Sequence, residues 1–299
     1  MLRRLHLYFK EMYPVIPRLL LGFIVFLEIY FMILLNYGIE DFHINIQEVV
    51  GAYTIFAFLM WLRIADDFKD YETDLVLFKD RPLPSGKVKK KDLIIVCTVV
   101  QAVAVVLNVL FMNNLLFFIV LYCYGFLMSK WFFKKKKIQS SLPLALITHN
   151  PVQLFVNIFT ISFTCIKYQL NPISLTTFLV LWTLYFPSLI WEVSRKIKAP
   201  REENDYTTYS KLFGYKKATR FVMCLTLIDI ITNIVLVWNL NKISVVLFVI
   251  LVSWMSFRFI DFMKDPYRYK IVSKVEKYTY IQESLMLLTV VIYLLVGKI

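Results

Sequence analysis

The chain has 299 residues, 59% of them hydrophobic and 18% charged, with a positive mean hydropathy. That balance excludes the pair of soluble domains its length would otherwise suggest. A formal charge of +13 would suit a nucleic-acid partner, but the basic residues sit in connections between apolar stretches, so the expected surroundings are a lipid bilayer and no nucleic acid.

Crossing about 30 Å of hydrocarbon at about 1.5 Å per residue takes about 20 apolar residues. Nine stretches meet that need, near 13–36, 47–64, 92–112, 114–133, 142–165, 173–191, 220–239, 243–262 and 278–296. The predicted fold is therefore an all-α polytopic bundle of nine transmembrane helices. The first stretch begins too late, and is too long and too aromatic, for a secretory signal, and reads as a retained helix. Cys97, Cys123, Cys165 and Cys224 lie singly in four different spans, as small apolar side chains would.

Basic residues crowd one side of this arrangement. Arg3, Arg4, Lys89 to Lys91, Lys134 to Lys137, Arg195, Lys196, Lys198, Lys216 and Lys217 fall on the side of the N-terminus, against Lys167, Lys242 and Lys298 on the other. The positive-inside rule then puts the N-terminus in the cytoplasm and the C-terminus outside. Connections on the outer side are short, whereas the inner ones after the second, sixth and eighth spans are long and charged. A function facing the cytoplasm is expected, in a bacterial inner membrane.

The second span ends in "ADDFKDYETD". If its helix runs on past Leu62, Asp67, Asp70 and Asp74 fall at i, i+3 and i+7 and share one stripe, with Asp66 on an adjoining one. Like charges at that spacing repel, so a compensating group is expected. Magnesium suits the position, because it takes one or two carboxylates and fills its other sites with water and phosphate. A solvated helix end paired with Lys69 and Lys79 is the plainer alternative, and a cation-coupled transporter a third reading. Transporter ion sites, however, lie near the bilayer midplane rather than at a helix end.

Next comes "KDRPLPSG" at 79–86. Pro82 and Pro84 stiffen this segment and Gly86 permits a sharp turn, which would hold Arg81 toward the aspartates as a forked phosphate donor. In the fifth span, "THNP" places Asn150 before Pro151 at membrane depth. The proline should kink the helix, leaving Asn150 to orient an acceptor or phosphate, or to bond a neighbouring helix.

"DDFKDYETD" followed by "RPLPSG" resembles the first signature of the UbiA-type intramembrane prenyltransferases, with Asp67, Asp70 and Asp74 matching its three acids and Asp66 standing where the family usually has Asn. The resemblance spans the chain and implies a single catalytic domain over 1–299: a UbiA-like helical bundle in which helices 1–4 and 5–8 form a pseudo-repeat and helix 9 is added. It implies Mg²⁺-dependent ionisation of a prenyl diphosphate. The prenyl group then passes to a lipophilic, aromatic or quinone-like acceptor, or, in the family's terpene cyclase branch, the cation is captured by its own double bonds.

The family's second acidic motif matches "WEVSRKIKAPREENDYTTYSKLFG" at 191–214. Glu192 stands for its first acid, but Lys196 occupies the second, and Glu202, Glu203 and Asp205 are candidates to replace it. Arg195 and Lys196 would approach the diphosphate. Read alone, Glu192 and Lys196 at i, i+4 make a surface ion pair. Lys130 is a further diphosphate candidate from the family's tyrosine-to-lysine pattern, or else a snorkelling anchor.

Overall fold

The computed structural model describes residues 1–203 and 207–297, and the regular elements among them are helices. An amphipathic helix, α1 (Leu2–Glu11), precedes the membrane region and buries Leu5 and Tyr8 while leaving Arg3 and Lys10 exposed. The long helices are α2 (Val15–Asn36), α3 (Ile46–Lys69), α5 (Lys90–Phe111), α13 (Tyr215–Val237), α14 (Lys242–Lys264) and α15 (Ile271–Val296). A short helix, α4 (Tyr71–Leu77), follows α3.

Among the described residues, eight helical stretches are long and apolar enough to cross a membrane. The ninth expected span is a shorter apolar helix, α6 (Leu115–Ser129). After it come α7 (Lys135–Gln139), α8 (Leu142–His149) and α9 (Val152–Tyr168). The break between α8 and α9 falls at Asn150 and Pro151, where the proline was expected to interrupt the helix. The sixth span is also broken, into α10 (Leu175–Thr183) and α11 (Phe186–Ser194), with Pro187 in the first turn of α11. A first-turn proline costs no hydrogen bond there, since that N–H has no helical partner anyway.

The chain forms two compact units. The first comprises Met1–Leu27, Asp41–Lys135 and Ile158–Leu170; the second comprises Glu28–Glu40, Lys136–Asn157 and Asn171–Ile299.

In the first unit α3 is the central helix. Its membrane window is 67% buried, against 22% for α5, whose Val99, Val103, Val106 and Leu110 remain exposed as a lipid-facing side requires. Asn45 caps the start of α3 in a reciprocal capping box with Glu48, satisfying N–H groups that have no helical acceptor. Polar side chains join α3 to α5: Asn108 Nδ2 donates to Thr54 Oγ1 at 2.7 Å, and Gln101 Nε2 donates to the Ala57 carbonyl at 2.9 Å. Such bonds hold helices together where lipid supplies no hydrophobic drive between them. Gly125 on α6 lets α3 approach closely, since a Cβ there would lie 2.5 Å from the Trp61 ring.

In the second unit α13 packs on α10, α11 and α14, and α15 packs on α11 and α14. A short helix, α12 (Tyr209–Phe213), precedes α13. Asp229, midway along α13, is fully buried. It accepts from Asn233 Nδ2 at 2.8 Å, Gln282 Nε2 at 3.0 Å and the Tyr278 hydroxyl at 3.2 Å.

Candidate active site

The helix that carries the acidic run does not continue straight through it. α3 ends at Lys69, Asp70 lies at φ −101° and ψ 9°, and α4 begins at Tyr71. Hydrogen bonds still pass through the joint, from Asp70 N–H to the Asp66 carbonyl and from Asp74 N–H to the Asp70 carbonyl, both at 2.9 Å. The expected single stripe is thus divided at Asp70, with Asp67 and Asp74 on separate helices and both buried.

Each buried acid has a cation. Asp67 Oδ1 accepts from Arg63 at 2.7 Å, one helical turn earlier, and its Oδ2 accepts from the Tyr8 hydroxyl at 2.6 Å. Asp74 Oδ2 accepts from Arg81 at 2.8 Å. The segment expected to aim Arg81 at the aspartates does so. Its backbone folds back with Ser85 N–H on the Arg81 carbonyl and Val88 N–H on the Pro82 carbonyl, and Gly86 takes the φ of +75° that favours glycine. Arg81 also lies over the Phe78 ring, 4.0 Å from its centre.

The half-buried acids differ. Asp66 pairs with Lys69 at 2.6 Å, whose ammonium faces the Trp131 ring at 4.7 Å. That tryptophan opens a turn in which Trp131, Phe132 and Phe133 all have positive φ, a left-handed run that costs non-glycine residues energy. Asp70 makes no side-chain hydrogen bond or ion pair with another described residue. Burial pushes its carboxyl above the usual range; Lys69 pulls it back, and Asp66 and Asp74 push it further up. Lys79 is exposed.

No group of three or more His, Cys, Asp or Glu side chains gathers in a metal-holding arrangement among the described residues. The donors nonetheless suit magnesium: they are hard carboxylate oxygens, the ion takes only one or two from protein, and Asp70 is a half-buried carboxylate without a partner.

Lys130, at the end of α6, lines a groove of about 380 Å³ with Lys69, Trp61, Phe68, Cys97 and Thr98. In the second unit, Glu192 near the end of α11 accepts from Arg195 at 2.6 and 2.8 Å and pairs with Lys196 at 3.0 Å, both just past the helix. The i, i+4 pair with Lys196 is the one read from the sequence, and the structure adds the i, i+3 pair with Arg195. Glu203 is engaged by the Thr208 and Ser210 hydroxyls at 2.7 and 2.5 Å, which makes it a loop brace. Glu202 lies on an exposed 3₁₀ turn, and Asp205 lies outside the described residues. Asn150 ends α8, and its buried Oδ1 has no hydrogen-bond partner among the described residues.

Sequence reading passed over Tyr8 and Arg63. Arg63 had a signal, because a cation inside an apolar span is costly and needs a reason. Tyr8 had none, since its partner lies 59 residues away.

A family model described as the UbiA prenyltransferase family matches residues 20–281. A solved structure of a digeranylgeranylglyceryl phosphate synthase, studied in membranes, superposes with a TM-score of 0.68 at 18% identity, over 97% of this chain and 98% of that one. Among curated proteins, none matches the chain in sequence.

Proposed function

The chain belongs to the UbiA prenyltransferase family, and from that premise we propose that it ionises a prenyl diphosphate at the acid-bearing end of α3, with Mg²⁺, and transfers the prenyl group to a lipophilic acceptor of aromatic or quinone-like type. Prenyl transfer in a multi-pass membrane protein is what the family supplies; the metal, the acceptor and the residues are the proposal. The observation that carries it is the run of Asp66, Asp67, Asp70 and Asp74 at the joint of α3 and α4, with Arg81 folded back onto Asp74, inside the stretch the family model covers. The positive-inside distribution supports a cytoplasmic opening for that end.

The allylic C–O bond breaks with its electron pair leaving on pyrophosphate, and the resulting carbocation is attacked by a nucleophilic carbon of the acceptor, which then releases a proton. Bound magnesium would supply positive charge where the leaving group gains negative charge. Asp70, with Asp67 and Asp74, would hold that ion. Arg81 can turn its fork from Asp74 to phosphate oxygens. Lys130, Glu192, Arg195 and Lys196 are proposed as further contacts on the strength of the sequence pattern. Asn150 is proposed as a pocket polar group on its buried, unpartnered oxygen.

The test is pyrophosphate release from geranyl, farnesyl and geranylgeranyl diphosphates by the protein in nanodiscs, with Mg²⁺ or EDTA and with or without a quinol or phenolic acceptor. Metal-dependent release that requires an acceptor and is lost in Asp70→Ala supports the transferase. Cyclic hydrocarbon or terpene alcohol without acceptor would assign the chain to the cyclase branch. Equal release by wild type and Asp70→Ala would remove the acid site from the reaction.

A further inference from the structure

We propose that Tyr8, on the helix that precedes the membrane region, is a positioning residue for the metal-binding carboxylate Asp67, so that α1 is a working part of the site. This rests on the reading of Asp67 as a magnesium ligand.

The Tyr8 ring is fully buried, and a phenylalanine would fill the same space. What the hydroxyl adds is its 2.6 Å hydrogen bond to Asp67 Oδ2. An ionised carboxylate has about four lone-pair positions. Tyr8 and Arg63 take one on each oxygen, leaving one on each for a ligand. Asp67 is therefore held in orientation from two directions without losing its capacity to bind. Partners that orient a ligating side chain in this way commonly carry about tenfold to a hundredfold in metal affinity.

The helix itself is pinned on both sides of Tyr8. Arg4 makes a bidentate pair with Asp92, at 2.5 and 3.0 Å. Leu5 is buried, and Tyr13, just beyond α1, donates to the Phe56 carbonyl at 2.9 Å. These anchors attach α1 to α3 and to α5, the helices that flank the acid run in the chain. An N-terminal segment needed only for membrane attachment would not need a buried hydroxyl aimed at Asp67.

The experiment is Mn²⁺ binding, followed by electron paramagnetic resonance on full-length protein in nanodiscs with pyrophosphate present, alongside thermal unfolding. Tyr8→Phe is expected to weaken Mn²⁺ binding by about tenfold with little change in unfolding temperature. Arg4→Gln, which loosens the anchor, is expected to shift binding the same way by less. Tyr13→Phe serves as the control for a loosened anchor, expected to lower the unfolding temperature and to weaken Mn²⁺ binding by less than Tyr8→Phe does. Wild-type affinity in Tyr8→Phe, or equal losses in Tyr8→Phe and Tyr13→Phe, would overturn the proposal and leave the metal site standing. A wild type that binds no Mn²⁺ would overturn the metal reading itself and Tyr8's role with it.

Discussion

Asp67 and Asp229 are both buried carboxylates on long membrane helices, one in each unit, yet their surroundings differ in kind. Asp67 is met by a guanidinium and a phenol, and Asp229 by two amides and a phenol. A carboxylate beside an arginine belongs to an arrangement of mobile charges, in which a metal or phosphate can replace one partner by another. A carboxyl surrounded by neutral donors joins α13 to α15 and has nothing to exchange. Burial alone therefore does not set the two apart; the charge of their partners does.

The largest effect should separate the two at once. Asp67→Asn and Asp70→Ala are each expected to lower pyrophosphate release by about a hundredfold or more, whereas Asp229→Asn should leave the metal dependence of release as in wild type. Asp229→Ala should instead cost stability. It strands the two donors from α15, Tyr278 and Gln282, and interhelical bonds in membrane proteins average about 0.6 kcal/mol each, so a loss of about 1 kcal/mol is expected in unfolding of the detergent-solubilised protein. A collapse of metal dependence in Asp229→Asn would erase the distinction.

Arg81→Lys sharpens the comparison further. Lysine keeps the charge that Asp74 needs but gives up the planar fork. The expected outcome is a loss of about tenfold in kcat/KM for the prenyl diphosphate, or about 1.4 kcal/mol, with the unfolding temperature nearly unchanged. A lysine variant as active as wild type would mean that Arg81 serves only as a counter-charge to Asp74.

Much of the Asp67 region was legible in the sequence because its signals are local. The two prolines and Gly86 predicted the turn that brings Arg81 to Asp74, and Pro151 announced the break after α8, whereas the single stripe read from the acid spacing is divided at Asp70. The break at Asp70 was not legible, since hydrogen bonds run through it and no Gly or Pro marks it in the sequence. Tyr8 and the two partners of Asp229 on α15 were hidden for another reason: their contacts join residues 59, 49 and 53 positions apart, which no window along the chain can register. The short α6 was read as a full span because its apolar run continues into Trp131 to Phe133, where the backbone turns left-handed.

Glu192 belongs to neither class, and it gives the smallest expected effect. It has cations, as Asp67 does, but its carboxylate is only half-buried, and Arg195 is 41% exposed. Ion pairs of that kind contribute a few tenths of a kcal/mol, so Glu192→Gln should barely move the unfolding temperature. Its effect on pyrophosphate release tests whether exchangeable charge is enough to make an acid functional. If Glu192 takes part in diphosphate binding, release should fall by several-fold and the half-saturating prenyl diphosphate concentration should rise. Unchanged kinetics would make the Glu192, Arg195 and Lys196 set a helix-end pairing, and would leave burial of the carboxylate beside its cation as the condition that Asp67 and Asp74 meet and Glu192 does not.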